Sequence, residues 1–540
     1  MKTGIKSLHD NASIIRESLK SAVSSPEVFD DKCQPVIDYI EELEGKIRIL
    51  QKQVFSSKTE KRPAPENDPQ MLLFNEAETE SPEEQAPEEV KEETIEVPAH
   101  KRVKPKRKPL PESLERVEVV HDIAESEKVC GCGTCLEKIG EETSEKLDII
   151  PAKIRVIRHI RPKYACKKCE GTESEGPTVK IAPVPDQIIP KGIPSAGLLA
   201  WIVVSKFCDS LPLYRQVKLF ERIGVTISIS TMASWMIQVA EKCGPMIDLL
   251  RMEILSGPCI NIDETTLQVL KEQDRADETK SYMWVFRGGP PEKPSVIFQY
   301  SRTRSGSVAK DFVEGYKGYC QTDGYAGYDC LEKDSEIKLL GCFSHARRKF
   351  IDVIDARGKK DKGKTGSAEQ ALGYIQKLYR IERSAADRKL SPYEIFELRQ
   401  NEAKPVLDEF KSWMDKRVVQ VPPSSLLGKA LKYTLSNWER LIRYIKDGNL
   451  KPDNNAAENA IRPFVVGRKN WLFAGHPNGA HASSVLYSLV ESAKSAGLEP
   501  YAYLRFLFEK IPLAQTEDDY QKLLPQSITT EYLSVFISKL

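Results

Sequence analysis

The sequence of 540 residues lacks any run of 18 apolar residues, and its first twenty residues lack the apolar core of a secretory signal. A helix that spans a bilayer needs about 20 apolar residues, and a signal peptide needs an apolar centre. The sequence therefore predicts no membrane segment and a cytoplasmic protein. Its length also predicts several domains rather than one.

Net charge is almost absent as well, since the formal value is +1, but the charges are segregated along the chain. Residues 66–96 contain twelve Asp and Glu against a single Lys, whereas residues 101–108, KRVKPKRK, contain six Lys and Arg. A basic block of this kind favours binding to an anionic polymer. The segment 62–112 has few large apolar residues, which predicts a flexible, charged linker.

Without a secretory signal, the twelve cysteines are expected to be reduced thiols, for which metal binding is the favoured use of a paired set. Two CxxC pairs, Cys132–Cys135 and Cys166–Cys169, offer four thiolates, the donor set of one structural Zn²⁺. The gap between the pairs is longer than in the commonest zinc ribbons, and Cys130 is an alternative ligand. Between the pairs, KIRVIRHIRPKYA predicts a basic hairpin that either contacts phosphates or exposes a solvated strand face.

Two helical patterns precede the central part of the chain. Apolar positions in the first alternate in spacing between four and three residues, which predicts either a coiled-coil seam or a helix packed on its own protein. These positions are Val36, Ile40, Leu43, Ile47, Leu50 and Val54. The second pattern predicts a helix that ends at Gly224, followed by a helix capped by Ser228 or Ser230. This pair is a helix-turn-helix candidate for DNA binding, with simple core packing as the alternative.

From residue 258 the pattern changes to that of a mixed α/β domain. The runs typical of strands are PCINIDETTLQVL, SYMWVF, SVIFQY, GYCQTD and IKLLGCF. Helical segments follow the third, fourth and fifth of these runs. Three antiparallel strands followed by βαβ crossovers predict a mixed sheet with helices on both faces, and this order matches the ribonuclease-H-like fold.

Carboxylates lie near the predicted ends of two of these strands. Asp263 is placed at the end of the first strand and Asp323 at the end of the fourth, and these strands are neighbours in that topology. We expect the two side chains to converge at one edge of the sheet, with Glu264 and Asp329 as nearby competitors.

The segment KPDNNAAENAIRPF (451–464) predicts a short helix with Asn454 or Asn455 as its N-terminal cap. Glu458 precedes an arginine by one turn, so a surface ion pair is one interpretation. The other is that Glu458 is a third metal ligand, and that the small alanines let its helix lie close against the sheet. Pro463 is expected to kink or end this helix.

Three carboxylates from distant parts of the chain suit two hard divalent cations, Mg²⁺ or Mn²⁺, because such ions prefer oxygen ligands. A pair of such ions activates the attacking oxygen and stabilises the leaving oxygen in phosphoryl transfer. The residues therefore predict Asp263, Asp323 and Glu458 as ligands in a phosphoryl-transfer site.

The longest motifs point to a known family. NNAAENAIRPFVVGRKNWLF (454–473) and YSLVESAKSAGLEPYAYLRFLFEKIP (487–512) resemble the signature of the transposases of the bacterial insertion sequences numbered sixty-six. The segments IDETTLQV, QTDGYAGY, GCFSHARRKF, KRKPLP and VFSSKTEK resemble the same family. The resemblance implies a DDE transposase with Asp263, Asp323 and Glu458 as its catalytic triad, a helix-turn-helix, a zinc-binding region and a short C-terminal domain.

The resemblance also implies the reaction and its partners. It implies cleavage of the ends of an insertion sequence and joining of the 3′-hydroxyl ends to target DNA, with two Mg²⁺ (or Mn²⁺) ions and one structural Zn²⁺. The expected partners are terminal inverted repeats, target DNA, further copies of the chain and accessory proteins of the same element, in a bacterial, nucleoid-associated setting. The residues expected to grip DNA are Arg347, Arg348, Arg462, Arg468 and Lys469.

Other residues receive structural interpretations. Trp471 is expected to pack in the core rather than stack on a base, and His345, in a Cys-x-x-His element seen in several DDE groups, to be structural rather than catalytic. His476 is a departure from the family pattern without a catalytic role. The cysteines expected in the core are Cys259, Cys320 and Cys342.

The predicted fold is a multidomain α/β protein with a ribonuclease-H-like catalytic core. Its predicted parts are an N-terminal helical or coiled-coil segment (1–61), a disordered linker (62–112), a zinc-binding module (113–185), a helix-turn-helix region (186–250), the first part of the core (251–350), a helical insertion (351–445), the last part of the core (446–485) and a C-terminal helical domain (486–540). Two other functions fit parts of this pattern. A DNA-binding regulator is disfavoured by the intact carboxylates, and a junction or RNA–DNA hybrid nuclease by the C-terminal signature.

Overall fold

The computed structural model describes residues 154–165, 179–333, 336–356 and 366–539, together with Leu43 and Ile47. The predicted zinc ligands, Cys130 and the charged linker lie outside these residues. No helix within the described ranges is long and apolar enough to cross a membrane. The chain divides into two compact units, one of residues 83–184 and one that contains the rest.

The described part of the smaller unit is a two-stranded antiparallel sheet, in which β1 (Lys163–Ala165) pairs with β2 (Val179–Ile181). The prediction of a basic hairpin within KIRVIRHIRPKYA is wrong, because residues 154–162 have no regular secondary structure and Lys163–Ala165 pairs with Val179–Ile181 instead. β1 begins directly after Pro162, which has no N–H to donate to a strand partner. The Arg161 guanidinium instead donates to the Ala182 carbonyl, at 2.8 Å from Nε.

Between residues 195 and 257, four helices lie before the main sheet of the larger unit. They are α1 (Ala196–Phe207), α2 (Leu213–Arg222), α3 (Ile229–Lys242) and α4 (Gly244–Ser256). The two predicted helices of the helix-turn-helix candidate are present as α2 and α3. Gly224 follows α2 with φ +81°, a conformation that glycine adopts without steric cost. Ser228 caps α3, because its Oγ accepts the N–H of Thr231 at 3.0 Å.

A six-stranded mixed sheet forms the centre of the larger unit, and its strand order is β5-β4-β3-β6-β7 with β8 on the far end of β3. The strands are β3 (Cys259–Val269), β4 (Lys280–Gly288), β5 (Ser295–Ser301), β6 (Gly318–Gln321), β7 (Ile337–Leu340) and β8 (Phe473–Ala474). β3, β4 and β5 are antiparallel, whereas β6 pairs parallel with both β3 and β7. The predicted order of elements and the predicted neighbourhood of the first and fourth strands are confirmed.

The position of Asp263 differs from the prediction, because Asp263 lies in the middle of β3 rather than at its end. The pairing of β3 with β6 stops at Asn261, but β3 pairs with β4 for seven further residues as the long arm of a hairpin. Asp263 therefore follows the end of the parallel pairing, not the end of the strand. Asp323 lies two residues beyond the end of β6.

Helices surround the sheet and extend away from one end of it. Those that alternate with the last strands are α5 (Gly306–Phe312), α6 (Cys330–Lys333) and α7 (Phe343–Ala356). A helical group follows: α8 (Ser367–Asp387), α9 (Pro392–Leu398), α10 (Lys404–Val418), α11 (Leu426–Ser436) and α12 (Trp438–Ile442), with a π-helical turn at Arg399–Ala403. This group shares a second apolar core with β7 and α7, and Phe350, Phe410 and Leu431 are buried in it.

The last helices return to the sheet. They are α13 (Asn455–Trp471), α14 (Pro477–Ser495), α15 (Pro500–Lys510), α16 (Glu517–Gln521) and α17 (Thr530–Ser538). α14 lies against β5, where the backbone N–H groups of Phe298 and Val296 donate to the hydroxyls of Ser488 and Ser492 at 2.8 and 2.9 Å. These bonds join the C-terminal helices to the core of the sheet.

Candidate active site between two parallel strands and a helix

The pairing of β3 with β6 places Asp263 and Asp323 on adjacent segments of the sheet. Asn261 lies opposite Gln321 in the parallel register. Asp263 follows Asn261 by two positions, and Asp323 follows Gln321 by two positions. The Asp263 Oδ1 accepts the N–H of Glu264 at 2.9 Å. The chain turns sharply after Asp323, because its Oδ1 accepts the N–H of Tyr325 at 2.8 Å. The Tyr433 hydroxyl also donates to the main-chain carbonyl of Asp323 at 2.7 Å.

The helix α13 brings Glu458 to the same region. Ala457 and Ala460 are buried where α13 lies against the sheet, as the small residues of this segment predict. The side chain of Glu458 is only 13% exposed, so Glu458 is not a surface residue. This burial argues against a solvent-exposed ion pair as its main role.

The structure differs from the local predictions about α13 at two points. Asn454 stands at the N-cap position, but its side chain makes no bond to the first turn of the helix. The Asp453 Oδ1 accepts the N–H of Asn455 instead, at 3.2 Å. The helix also continues through Pro463 to Trp471 rather than ending there. Proline removes one N–H from the helix, and the burial of Phe464 and Val465 beyond it stabilises the remaining turns.

The electrostatics of Asp263 show that the carboxylates share one region. Burial raises the pKa of Asp263 well above its ordinary value, and the charges of Glu264, Asp323 and Glu458 raise the pKa further. Like charges in a poorly solvated place disfavour ionisation unless a cation is present. All four groups offer carboxylate oxygens, the donors that Mg²⁺ and Mn²⁺ prefer. The residues present therefore fit a site for hard divalent cations.

The competing acids have other partners. The Glu264 side chain is 2% exposed and accepts from Arg304 Nε at 2.5 Å and from the Tyr328 hydroxyl. Asp329 pairs with Arg440 Nη1 at 2.7 Å. Glu264 is thus held by a cation and a phenol, and Asp329 by a guanidinium, which leaves Asp263, Asp323 and Glu458 as the better candidates for metal ligands.

Arg304 is a residue of this site that the sequence analysis missed. Its guanidinium contacts Glu264, approaches Asp323 Oδ2 at 4.0 Å and lies over the ring of Tyr325, 4.0 Å from the ring centroid. It follows β5 in a loop, and no motif in YSRTRSGS distinguishes it from its neighbouring arginine. A half-exposed cation beside the carboxylates suits contact with a phosphate.

His345 also lies at the site, since its Nδ1 is 3.7 Å from Glu458 Oε1. The possible ligand atoms of Cys342, His345 and Glu458 lie within 4.8 Å of one another. Burial raises the pKa of the Cys342 thiol to about 12, so the thiol is protonated at neutral pH. Its sulfur accepts the N–H of Asn454 at 3.2 Å. Cys342 is therefore a core residue, as predicted, and His345 contacts the acid of α13.

The predicted DNA-binding residues fall into different environments. On α13, Lys469 is exposed and Arg462 is half-buried. Arg468 Nη1 donates to Thr265 Oγ1 at 3.2 Å and to Thr266 Oγ1 at 3.1 Å, which ties α13 to β3. On α7, the adjacent residues Arg347 and Arg348 are both half-buried.

Two other predictions concern aromatic residues of this region. Trp471 is half-buried and packs edge-on against Phe464, with 5.5 Å between the ring centroids, as expected for a core residue. His476 caps α14, because its Nδ1 accepts the N–H of Asn478 at 3.1 Å. Its role is local and structural.

Comparisons of the sequence with known proteins match most of the chain. The family model described as "Transposase IS66 family" matches residues 191–482, more than half of the chain. Three further models match smaller segments: "zinc-finger binding domain of transposase IS66" at 127–170, "IS66 C-terminal element" at 488–526 and "Transposase C of IS166 homeodomain" at 42–119.

Similar proteins occur in Sinorhizobium fredii (strain NBRC 101917 / NGR234). The uncharacterized protein y4jD is 35% identical over 435 residues, which cover 77% of this chain and 81% of y4jD. The uncharacterized protein y4qI is 32% identical over 446 residues, 78% of each chain. The uncharacterized protein y4hP is 31% identical over 433 residues, which cover 77% of this chain and 76% of y4hP.

Proposed function

Because this chain belongs to the IS66 family of DDE-type transposases, we propose that it cleaves the ends of an insertion sequence and joins the 3′-hydroxyl ends to target DNA. The observation that carries this proposal is the geometry of three acids: Asp263 and Asp323 each follow, by two residues, the paired positions Asn261 and Gln321 of β3 and β6, and the largely buried Glu458 lies on α13. The mutual repulsion of these carboxylates raises the pKa of Asp263 and favours a bound cation.

Asp263, Asp323 and Glu458 would hold two Mg²⁺ or Mn²⁺ ions. The chemistry that two bound divalent ions supply is activation of the attacking oxygen and stabilisation of the leaving oxygen in phosphoryl transfer. The side chains of the protein place the DNA for this reaction. Arg304, half-exposed beside Asp323, is suited to orient a phosphate, and the partly buried site limits the access of water.

The strand order supports a ribonuclease-H-like core as the fold of this catalytic part. Three antiparallel strands are followed by two parallel ones. Asp263 lies on the central strand β3, Asp323 follows its parallel neighbour β6, and Glu458 lies on the later helix α13. We also propose the division of the chain into eight parts that the sequence predicts. The buried core of the helices between residues 366 and 446 supports a helical insertion between the second and third acids.

The chain binds DNA as a member of its family, and we propose that α2 and α3 contact the terminal inverted repeats. Arg215, Lys218 and Arg222 lie exposed on α2, and Ser230 and Ser234 are exposed near the start of α3. Basic residues on one helix and small polar residues on the next suit phosphate contact and base reading, respectively.

Lys469→Ala is expected to weaken binding to DNA of any sequence, because Lys469 is exposed on α13 and suits a phosphate contact. The slope of log K against log salt concentration should fall by about 0.9 in a titration by fluorescence anisotropy. Arg468→Ala is the matched variant, and it should lower thermal stability instead, because Arg468 bonds to β3. Equal salt slopes in Lys469→Ala and the wild type would exclude Lys469 from the DNA contact.

The zinc-finger region is expected to hold about one zinc ion per chain through Cys132, Cys135, Cys166 and Cys169. Elemental analysis of purified protein should show this zinc and its loss in Cys166→Ser, because three thiolates bind more weakly than four. Cys130→Ser is the control and should retain the metal. Zinc loss in Cys130→Ser with retention in Cys132→Ser would replace Cys132 by Cys130 in the ligand set.

We propose that further copies of the chain and accessory proteins of the same element take part in the reaction. Leu43 and Ile47, two positions of the apolar seam, lie in a helix and are 38% and 42% exposed. Apolar seam residues that stay exposed in a single chain suit a helical partner.

Incubation of the purified protein with DNA that carries the ends of the element, in Mg²⁺, tests the function directly. Strand-resolved mapping of the products should show cleavage that leaves 3′-hydroxyl ends, followed by joined products when target DNA is added. Specific end binding without any cleaved or joined product would instead support a DNA-binding regulator.

A further inference from the structure

Three buried side-chain amides lie next to the carboxylates of the site. Asn261, Gln321 and Asn454 are all inaccessible or nearly so, with exposed fractions of 8%, 1% and 0%. Each amide precedes one acid along the chain. Asn261 lies two residues before Asp263 on β3, and Gln321, the last residue of β6, lies two residues before Asp323. Asn454, at the start of α13, lies four residues before Glu458. Each amide therefore lies on or directly beside the element that carries or leads to one of the three acids.

Hydrogen bonds join the three amides to one another. Asn261 Nδ2 donates to Gln321 Oε1 and to Asn454 Oδ1, both at 3.0 Å. Asn454 Nδ2 donates to the Ile262 carbonyl on β3 at 2.8 Å. A single asparagine of the central strand thus bonds to its neighbouring strand and to the helix that carries the third acid.

Main-chain carbonyls fix the orientation of this network. Gln321 Nε2 donates to the carbonyls of Lys451 and Gly341 at 2.8 and 3.3 Å. A carbonyl only accepts, so the NH₂ group of Gln321 must face these carbonyls and its oxygen must face Asn261. The same logic orients Asn454, whose NH₂ group faces the carbonyl of β3. The side-chain oxygens of Gln321 and Asn454 then each need a donor, and the NH₂ group of Asn261 supplies both.

Amides suit this place because they are neutral and both donate and accept. A carboxylate would add to the negative charge that already surrounds Asp263, and an apolar side chain would leave buried oxygens without donors. On β3, side chains two residues apart lie on the same face of the sheet. Asn261 therefore lies on the same face as Asp263, at the point where the parallel pairing with β6 ends.

We propose that Asn261, Gln321 and Asn454 are positioning residues that hold β3, β6 and the start of α13 in the register at which the three carboxylates converge. In this role they act through the backbone segments that carry the acids. The cleavage assay of this inference rests on the proposed function, whereas its metal-binding assay does not.

The test is the affinity of the full-length protein for Mn²⁺ alone, measured by the loss of the free-ion signal in electron paramagnetic resonance. Asn261→Ala should raise the dissociation constant at least about tenfold and raise the Mn²⁺ concentration for half-maximal cleavage by a similar factor. Asn261→Ser keeps one donor, so its affinity should lie between those of Asn261→Ala and the wild type. Asp263→Asn provides the reference for loss of the site.

Ser492→Ala is the matched control, because Ser492 is also fully buried and bonds to the N–H and carbonyl of Val296 at 2.9 Å on the edge strand. If Asn261 had a merely structural role, any loss of Mn²⁺ affinity would follow the loss of thermal stability, and it would do so in Ser492→Ala as well as in Asn261→Ala. Our inference predicts a change of Mn²⁺ affinity in Asn261→Ala only. Wild-type affinity in folded Asn261→Ala and Asn261→Ser would overturn it.

The two proposals fail in different ways. A wild-type protein that binds Mn²⁺ but neither cleaves nor joins DNA contradicts the proposed function, while the affinities of the variants still decide the role of the amides. Active wild-type protein with unchanged affinity in the amide variants contradicts the positioning role alone. If Asn261→Ala does not fold, Asn261→Ser decides the question, because it keeps one donor at the same place, and its wild-type affinity for Mn²⁺ would contradict the positioning role.

Discussion

Glu458→Gln is expected to abolish cleavage of end DNA and joining of a pre-cut end, with rates at least about a thousandfold below those of the wild type. A rate loss of this size corresponds to about 4 kcal/mol of barrier. Glutamine keeps the size of the side chain and the propensity of α13 to form a helix, but it removes the charge that would hold a cation. The measurement is cleavage and strand transfer in Mg²⁺, followed on strand-resolved gels.

The interpretation of Glu458 as half of a surface ion pair predicts a different result. Such a pair contributes about 0–1 kcal/mol, so its loss would leave the reaction almost unchanged. Glu439→Gln is a matched control, because Glu439 is an exposed helical glutamate on α12, near the C-terminal end of the helical insertion. Both variants should bind end DNA like the wild type in a gel-shift assay, and only Glu458→Gln should lose activity.

The same loss is expected for Asp263→Asn and Asp323→Asn, because the three acids would act as one unit. A double variant such as Asp263→Asn with Glu458→Gln should then be scarcely slower than either single variant. Cleavage by Glu458→Gln at nearly the wild-type rate would remove Glu458 from the triad. Glu264 would be the next residue to test, because it lies beside Asp263 and is 2% exposed.

Arg399→Met is expected to destabilise the helical group between α7 and α13 by about 3–5 kcal/mol, the cost of leaving a buried charge without its partner. The Arg399 side chain is fully buried and forms two bonds with Glu382, at 2.8 and 2.7 Å. Its other donors reach the carbonyls of Tyr444, Asp447 and Leu450 at 2.7–2.8 Å. All five N–H groups of the guanidinium are thus used.

Urea unfolding followed by tryptophan fluorescence can measure this effect, because Trp438 belongs to the same apolar core and Trp413 packs against it. Lys411→Met is the control, since the pair of Lys411 and Asp415 is exposed and should contribute less than about 1 kcal/mol. Cleavage should fall in Arg399→Met as well, because Arg399 holds the segment 444–450 that leads into α13.

Removal of both charges distinguishes this explanation from a simple packing defect. Arg399→Met combined with Glu382→Leu leaves no buried charge, so the double variant should be more stable than Arg399→Met alone. A double variant that is less stable than Arg399→Met would show that the packing of the long arginine stem, not its charge, stabilises this part of the protein.

Local patterns in the sequence were sufficient for the strands β3 to β7 and for the helices α2 and α3. Alternation of apolar residues predicts β3 to β7, and the turn at Gly224 and the cap at Ser228 follow from the conformations that these residues favour. Asp263 and Asp323 could be brought together from the strand order alone, because residues that follow paired positions of neighbouring parallel strands lie side by side.

Local patterns failed where a side chain has two competing partners. Asn454 has the sequence of a helix cap, yet its side chain bonds to β3, almost two hundred residues away. Arg468, which the sequence predicts to contact DNA, also bonds to two threonines of β3, and no local pattern indicates these partners. Propensity describes what a side chain can do with its neighbours in the chain, and tertiary contacts decide which of those partners it meets.

The sequence by itself determined which residue types were available for the chemistry, namely three acids in motifs that also identify the family. Only the tertiary structure decided how the acids are supported: Arg304 beside Asp323, His345 beside Glu458 and the amides Asn261 and Gln321 between the strands. The physical reason is that burial and charge depend on contacts between residues far apart in the chain. The pKa of Asp263, for example, is raised by desolvation and by Glu458, neither of which a local pattern contains.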